Sequence, residues 1–217
     1  MANKVKPSQE TIETVLFLMK PDGMKNEIKI IKYLKRTGLE IVHSQLVNVT
    51  RDSILQHYAK SNSWYEKYGR KSLEARGIST EVSPVSYETA LEEGMKIPDA
   101  IADYMVEKDM RAFVIKGVNA ISILRILLGD TEPASAKKNT LRGMFSSDSF
   151  QKAWTDSAGP RAIQNVAHAS DSESEAYREA CIFIGKEEAS LYFKDYLDEL
   201  ASAKNDELVR LARSAGK

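Results

Sequence analysis

One cysteine in 217 residues leaves nothing for an internal disulfide, and Cys181 lies in the apolar run Cys181-Ile182-Phe183-Ile184, where a small buried core residue is expected. That usage suits a reducing compartment. No apolar run approaches membrane-spanning length, and the polar stretch from Met1 to Ile12 offers no hydrophobic segment for a signal peptide, so a cytoplasmic protein with no membrane partner is expected. Charge of one sign is missing as well. Lys plus Arg equals Asp plus Glu at 31 each, which gives no overall field toward nucleic acid, and the basic stretch Lys25 to Arg36 reads as a solvated helix face. Internal repeats and low-complexity segments are lacking, and 42% hydrophobic residues at this length imply one core rather than two domains.

The sparse prolines and glycines punctuate an alternation of strands and helices. Thr14 to Met19 is a continuous apolar run ended by Lys20-Pro21-Asp22-Gly23, which demands a turn, and it reads as a buried central strand. Ile28, Ile31 and Leu34, with lysines between them, predict a helix before Gly38; Leu39 to Val49 reads as a second strand. Thr50 or Asp52 caps a short helix carrying Ile54, Leu55 and Tyr58. Met110 to Lys116 is another strand, followed by a helix through Ile121, Leu124, Arg125 and Leu128 that Gly129 closes. Asp130 to Asn139 is a long surface loop, the kind of segment that carries function. Asn165 to His168 is a short strand candidate, Ser170 with Glu173 signals a capping box for a helix to about Ala180, and Cys181 to Ile184 reads as a last core strand.

Two polar stretches interrupt this order. Lys60 to Asp99 carries Trp64, Tyr65, Tyr68 and Tyr87 among charges, with two or three short helices expected; Ser146 to Pro160 is rich in Ser, Asp and Gly. The charged tail from Lys186 to Arg213 favours helix, with Leu191, Tyr192, Phe193, Tyr196 and Leu200 expected to dock on the body.

Four stretches, taken in order, resemble nucleoside diphosphate kinases. They are Lys20-Pro21-Asp22-Gly23, Leu128-Gly129-Asp130-Thr131-Glu132-Pro133, Thr140-Leu141-Arg142-Gly143 and Asn165-Val166-Ala167-His168-Ala169-Ser170-Asp171-Ser172. The resemblance implies a kinase-like domain over 14–196, with insertions at about 60–99 and 146–160, and a helical tail over 197–217. It implies an α+β fold of the broad α/β kind, a ferredoxin-like sandwich with a four-stranded antiparallel sheet and flanking helices, and the element order is compatible with that. The implied activity moves the γ-phosphoryl group of a nucleoside triphosphate to a nucleoside diphosphate through a phosphohistidine, with Mg2+ as cofactor and a homo-oligomeric assembly. A nucleotide-binding regulatory protein with weak or no turnover is the alternative.

A phosphoryl group in transfer spreads charge over its oxygens, so its catalysts combine cations with a nucleophile in line. His168 is the candidate nucleophile, because a neutral imidazole near pH 7 can accept a phosphoryl group and pass it on. By resemblance, Glu179 orients the His168 ring and Ser170 supports that pair; His43 and His57 lack such context and are given structural roles. Lys20, Arg125, Thr131 and Arg142 match the family's phosphate- and sugar-contacting positions, Arg125 being also compatible with a solvated salt-bridging face. Asn165 matches the residue holding the sugar hydroxyl, and Tyr58 matches a tyrosine near the histidine, though its spacing from Ile54 also suits a core role. Magnesium would ride on the nucleotide phosphates with Asp171 reaching it through water, and the sequence carries no dedicated metal cage.

Three positions depart from the family pattern: Ala169 stands where Gly is usual, Gln164 where Arg is usual, and Ile97 where an aromatic ring stacks on the base. The aromatics upstream of Ile97 either fold over the cleft as a lid or form the insertion's own small core.

Overall fold

β1 (Ile12–Met19) is buried without a break from Val15 to Met19, because both of its faces are covered. Val15, Phe17 and Met19 enter one core, whereas Leu16 and Leu18 enter another. The computed structural model describes the backbone of residues 11–215 and the side chains of residues 11–204.

After β1 the chain forms α1 (Pro21–Met24), α2 (Glu27–Lys35), β2 (Glu40–Val47) and α3 (Arg51–His57), the last capped by Thr50, whose side chain accepts from Ser53 N. Two helices, α4 (Asn62–Ala75) and α5 (Tyr87–Gly94), fill most of the first insertion before α6 (Ile97–Met105) and β3 (Met110–Val118). There follow α7 (Ala120–Leu128), a 3-10 turn over Pro133–Ser135, α8 (Leu141–Phe145), α9 (Phe150–Trp154) and β4 (Ala167–Ala169). The chain closes with α10 (Glu173–Phe183), α11 (Lys186–Tyr192) and α12 (Lys194–Ala215).

The sheet order is β2-β3-β1-β4 and every pairing is antiparallel. This is the four-stranded ferredoxin-like sandwich. One face packs on α2 through Ile30 and Leu34 and on α7 through Leu124 and Leu128; the other packs on α3, α6 and α10 through Ile54, Met105 and Phe183. On β4 the alternation of side chains buries Ala167 and Ala169 on the first face, so His168 emerges on the second, toward α3 and α10.

Several local expectations are corrected. Cys181 to Ile184 is no strand but the end of α10 and its cap, since Ala176, Ala180 and Phe183 lie on one buried helical face and a four-residue apolar run fits either element. Cys181 is only half-buried there. The cap of α10 is Ser172, which accepts from Glu175 N; Ser170 turns inward and donates to Glu179 instead. The fourth strand begins at Ala167 rather than Asn165, because Val166 breaks the extended backbone with a φ of 71°. In the tail Phe193 is fully buried and Tyr192 and Tyr196 pack on the core, but Leu191 is 71% exposed and Leu200 41% exposed, on the outer faces of their helices.

The insertions meet each other. α4 and α5 pack backbone to backbone at Gly69, where a Cβ would lie 1.8 Å from Ala90 O. From α4, Tyr68 reaches Phe150 of α9, with ring centroids 6.4 Å apart, and Phe150 stacks on Trp154 at 4.8 Å.

Candidate active site

The Lys20-Pro21-Asp22-Gly23 turn is bound to the segment before β4. Lys20 N donates to Val166 O at 2.9 Å, Val166 N donates to Asp22 Oδ2 at 2.8 Å, and Tyr104 OH donates to Asp22 Oδ1. Gly23 sits so close that a Cβ would lie 2.4 Å from Val166 O, which is why the turn ends in glycine. Ala167 N donates to Asn165 O at 2.7 Å across Val166, a three-residue turn with positive φ at a β-branched residue, a rare and strained geometry. This turn swings Asn165 toward Lys20. Lys20 Nζ donates to Asn165 Oδ1 at 2.8 Å, and Asn165 Nδ2 donates to Thr131 O at 3.1 Å.

The helix that follows β4 directly, α10, delivers Glu179 behind His168. Glu179 is 2% exposed and accepts from His168 Nε2 at 2.9 and 3.0 Å and from Ser170 Oγ at 2.5 Å. Burial pushes the Glu179 carboxyl up, but the charge and hydrogen bond of His168, with His57 and the Ser170 hydroxyl, outweigh it and hold the group at about 2 against an ordinary 4.5. An ionised carboxylate only accepts, so Nε2 of His168 carries the proton. Nδ1 then keeps its lone pair, and it has no hydrogen-bond partner among the described residues.

Lys20, Tyr58, Arg125, Thr131, Arg142, Asn165 and His168 line one cavity of about 450 Å³. Ser170 and Glu179 stand behind His168, and Ile97 lines an adjoining cavity that shares the Lys20 and Asn165 wall. The cations differ in setting. Burial, with Arg142 adding and Asp22 opposing, lowers Lys20 from 10.5 to about 8. Arg142 is 8% exposed and donates to the carbonyls of Asn165, Gly129 and Ala167 at 3.2, 3.0 and 3.0 Å, so three of its five N–H groups hold the loops together. Burial brings it down to about 10, and it stays a cation at neutral pH. Arg125 is exposed at the cavity wall and makes no ion pair among the described residues. Tyr58 lines the cavity and also packs on the core, and burial followed by the Glu179 charge raises its phenol well above the usual range.

His57, a structural residue on its sequence context, is set by the fold against the His168–Glu179 pair. It is 2% exposed, its Nδ1 lies 3.4 Å from Glu179 Oε1 without a hydrogen bond, and its ring centroid is 5.0 Å from that of His168. Burial first, then His168, keeps it neutral against the pull of Glu179. Arg178 of α10 fixes it by donating to the carbonyls of Gln56 and His57 at the end of α3. The only local signal was its adjacency to Tyr58. Asp22, which ties the first turn to the Val166 turn, was likewise not singled out.

The family profile described as nucleoside diphosphate kinase matches residues 85–189. A nucleoside diphosphate kinase of Pyrobaculum aerophilum is 33% identical over 182 residues, 82% of this chain and 97% of that protein. The chain belongs to the nucleoside diphosphate kinase family. It is therefore a nucleotide-binding transferase of the kinase class. A nucleoside diphosphate kinase of Archaeoglobus fulgidus is 28% identical across 82% of this chain and 89% of its own length. Among solved structures, the Pyrobaculum aerophilum NDP kinase superposes with a TM-score of 0.69 at 32% identity, covering 79% of this chain and 95% of that one. The Borrelia burgdorferi nucleoside-diphosphate kinase, a transition state mimic with bound vanadate and ADP, gives a TM-score of 0.57 at 25% identity over 79% of this chain and 86% of its own.

Proposed function

We propose that this chain transfers the γ-phosphoryl group of a nucleoside triphosphate to Nδ1 of His168 and from there to a nucleoside diphosphate. The observation that carries the reading is the ionised Glu179, which takes the Nε2–H of His168 and leaves Nδ1 as the lone-pair nitrogen. In the first half-reaction the Nδ1–P bond forms as the bond from phosphorus to the bridging oxygen breaks, and the nucleoside diphosphate leaves. In the second, a terminal phosphate oxygen of the acceptor attacks and the N–P bond breaks. Glu179 stabilises the positive charge that the ring gains between the two steps, and Ser170 fixes the carboxylate.

Lys20, Arg125, Thr131 and Arg142 are assigned to the phosphates, Asn165 with Lys20 to the sugar, Tyr58 to the wall beside His168, and Ile97 to the base slot. Arg142 reaches phosphate with the N–H groups not bound to carbonyls. Mg2+ fits this set as an ion carried on nucleotide phosphates, because the carboxylates of Asp130 and Asp171 are exposed on the cavity wall and would hold it through water. When bound, it neutralises charge on the phosphate oxygens. The cluster of His57, His168 and Glu179 offers two imidazoles and one carboxylate, where Mg2+ prefers an all-oxygen set, and does not fit it. The catalytic unit is assigned to 14–196, with 197–217 as an added helical tail, and the lone half-buried cysteine supports a cytoplasmic setting.

Incubation with labelled ATP tests the reading: acid-labile, alkali-stable label on His168 is expected, and His168→Ala abolishes both label and exchange while retaining nucleotide binding. Exchange by that variant at the parent rate would overturn it.

A further inference from the structure

The two insertions enclose a cavity of about 430 Å³ next to the His168 cavity, and the two share Lys20, Tyr58, Trp64, Tyr68, Thr131 and Asn165 along their common boundary. A nucleotide held by Lys20 and Asn165 therefore has open space on the side away from His168, and the volume lies within the ordinary range for small-molecule sites. That space has aromatic walls from both insertions. Trp64 packs on Tyr68 with centroids 4.5 Å apart, Tyr68 meets Phe150, and Phe150 stacks on Trp154. Ile97, Ile101 and Ala162 supply aliphatic surface across from them.

The α4–α5 pair adds polar groups to the lining, Ser72, Arg76 and Glu93. Glu93 Oε1 accepts from Ser72 Oγ at 3.0 Å and from Arg76 Nη2, and among the described residues Glu93 Oε2 takes only the exposed Lys96. Arg76 Nε donates to Ser72 O, so its Nη1 stays uncommitted among the described residues. The lining thus presents one uncommitted donor group, Arg76 Nη1, beside one partly committed acceptor, Glu93 Oε2.

We propose that this cavity is a purine pocket, in which the aromatic row stacks the base and Arg76 with Glu93 reads its hydrogen-bonding edge, making the chain selective for purine over pyrimidine nucleotides. The proposal rests on the nucleotide-transfer reading for which groups lie at the sugar end. Stacking favours the larger ring face of a purine. An adjacent donor and acceptor match the O6 and N1–H of guanine or the N1 and amino group of adenine. In a purine the fused ring carries that edge farther from the sugar than in a pyrimidine, and Arg76 and Glu93 line only the part of the cavity that is not shared with the His168 site. With Ile97 in the base slot, the insertions supply the aromatic contact that this position lacks.

Trp64 and Trp154 are the chain's two tryptophans and both line the cavity, so intrinsic fluorescence reports on its occupancy. Titration of the full-length protein with GDP, ADP, CDP and UDP in the presence of Mg2+ is expected to give purine affinities about tenfold or more tighter than pyrimidine ones. Glu93→Gln and, separately, Tyr68→Leu are each expected to bring that ratio below roughly threefold, with thermal unfolding measured alongside to identify a misfolded variant. Equal affinities for all four nucleotides in the parent, or an unchanged ratio in both folded variants, overturn the pocket. Labelling of His168 by ATP is scored separately. Loss of labelling with purine selectivity intact refutes the phosphohistidine reading and upholds the pocket; labelling with no selectivity does the reverse.

Discussion

Glu179 and Lys20 are the two residues whose environments change their chemistry most usefully. Glu179 is held ionised down to about pH 2, so its charge is constant across the neutral range and the His168 tautomer with it. Glu179→Gln puts an amide where the carboxylate stood, an amide that can donate as well as accept, so the proton on Nε2 is no longer enforced. The transfer rate is expected to fall by roughly 10²- to 10⁴-fold, the range in which a lost orienting carboxylate acts on a histidine, with nucleotide binding measured by titration nearly unchanged. The same carboxylate sets an acid limb. Its folded value lies below its unfolded one, so its stabilisation is fully present above about pH 4.5 and is lost as pH falls toward 2, by about 3 kcal/mol in all. Urea unfolding at pH 5 and at pH 2.5 should show that limb in the parent and a shallower one in Glu179→Gln. Lys20 works in the opposite range. With its free value lowered to about 8, ADP affinity is expected to weaken as pH rises through 8, because the cation assigned to the phosphates loses its proton. ADP titrations from pH 7 to about 9.5 check this, and Lys20→Met should bind more weakly and without the slope.

At the scale of elements, the site depends on two short turns that hold each other. The Val166 turn aims Asn165 at Lys20 and then releases β4 with His168 on the face toward α10, and the Lys20 to Gly23 turn supports it through two hydrogen bonds, one between backbones and one to the Asp22 carboxylate. Strain at Val166 is sustained only while that support is in place. Gly23→Ala drives a methyl to 2.4 Å from Val166 O, a backbone atom that cannot move without disturbing Asn165 and His168. A stability loss of about 1 to 3 kcal/mol is expected, measured by denaturant unfolding, and the transfer rate should fall in the folded fraction as well. The helices behave differently, since α10 carries Glu179 on the same buried face as Ala176, Ala180 and Phe183. Packing of that face on the sheet is what keeps the carboxylate beside His168.

Across the whole molecule, the family's sandwich is retained and the two insertions combine into one structure at its edge. The α4–α5 pair and α9 lie far apart in sequence, but Tyr68, Phe150 and Lys71 join them, with the Lys71 ammonium 5.5 Å from the Tyr68 centroid and 5.7 Å from that of Phe150. By the family resemblance, the second insertion falls in the region that many members use for subunit contacts. Its aromatic helix is spent on α4 of its own chain, a contact that competes with packing between subunits. A dimer, or a tetramer built from dimers, is expected in light scattering, and six subunits would contradict it.

The sequence by itself determined the four core strands in type and approximate place, since a strand buried on both faces must be apolar throughout, as Val15 to Met19 is. It also carried the ordered motifs around Lys20, Thr131, Arg142 and His168, because turns that bring backbone near phosphate need particular residues at fixed spacing. Ambiguity entered where a pattern was short. Four apolar residues from Cys181 to Ile184 suit a strand or a helix end alike, and two serines in reach of one helix start made Ser170 look like the cap that Ser172 is. Only the tertiary structure decided the rest. The place of His57 beside Glu179, the closure of Tyr68 on Phe150, and the meeting of Arg76 with Glu93 in the lining of a cavity are contacts between elements. Sequence spacing governs what one helix or strand presents on a face; which face meets which is fixed by how all the buried surfaces pack at once.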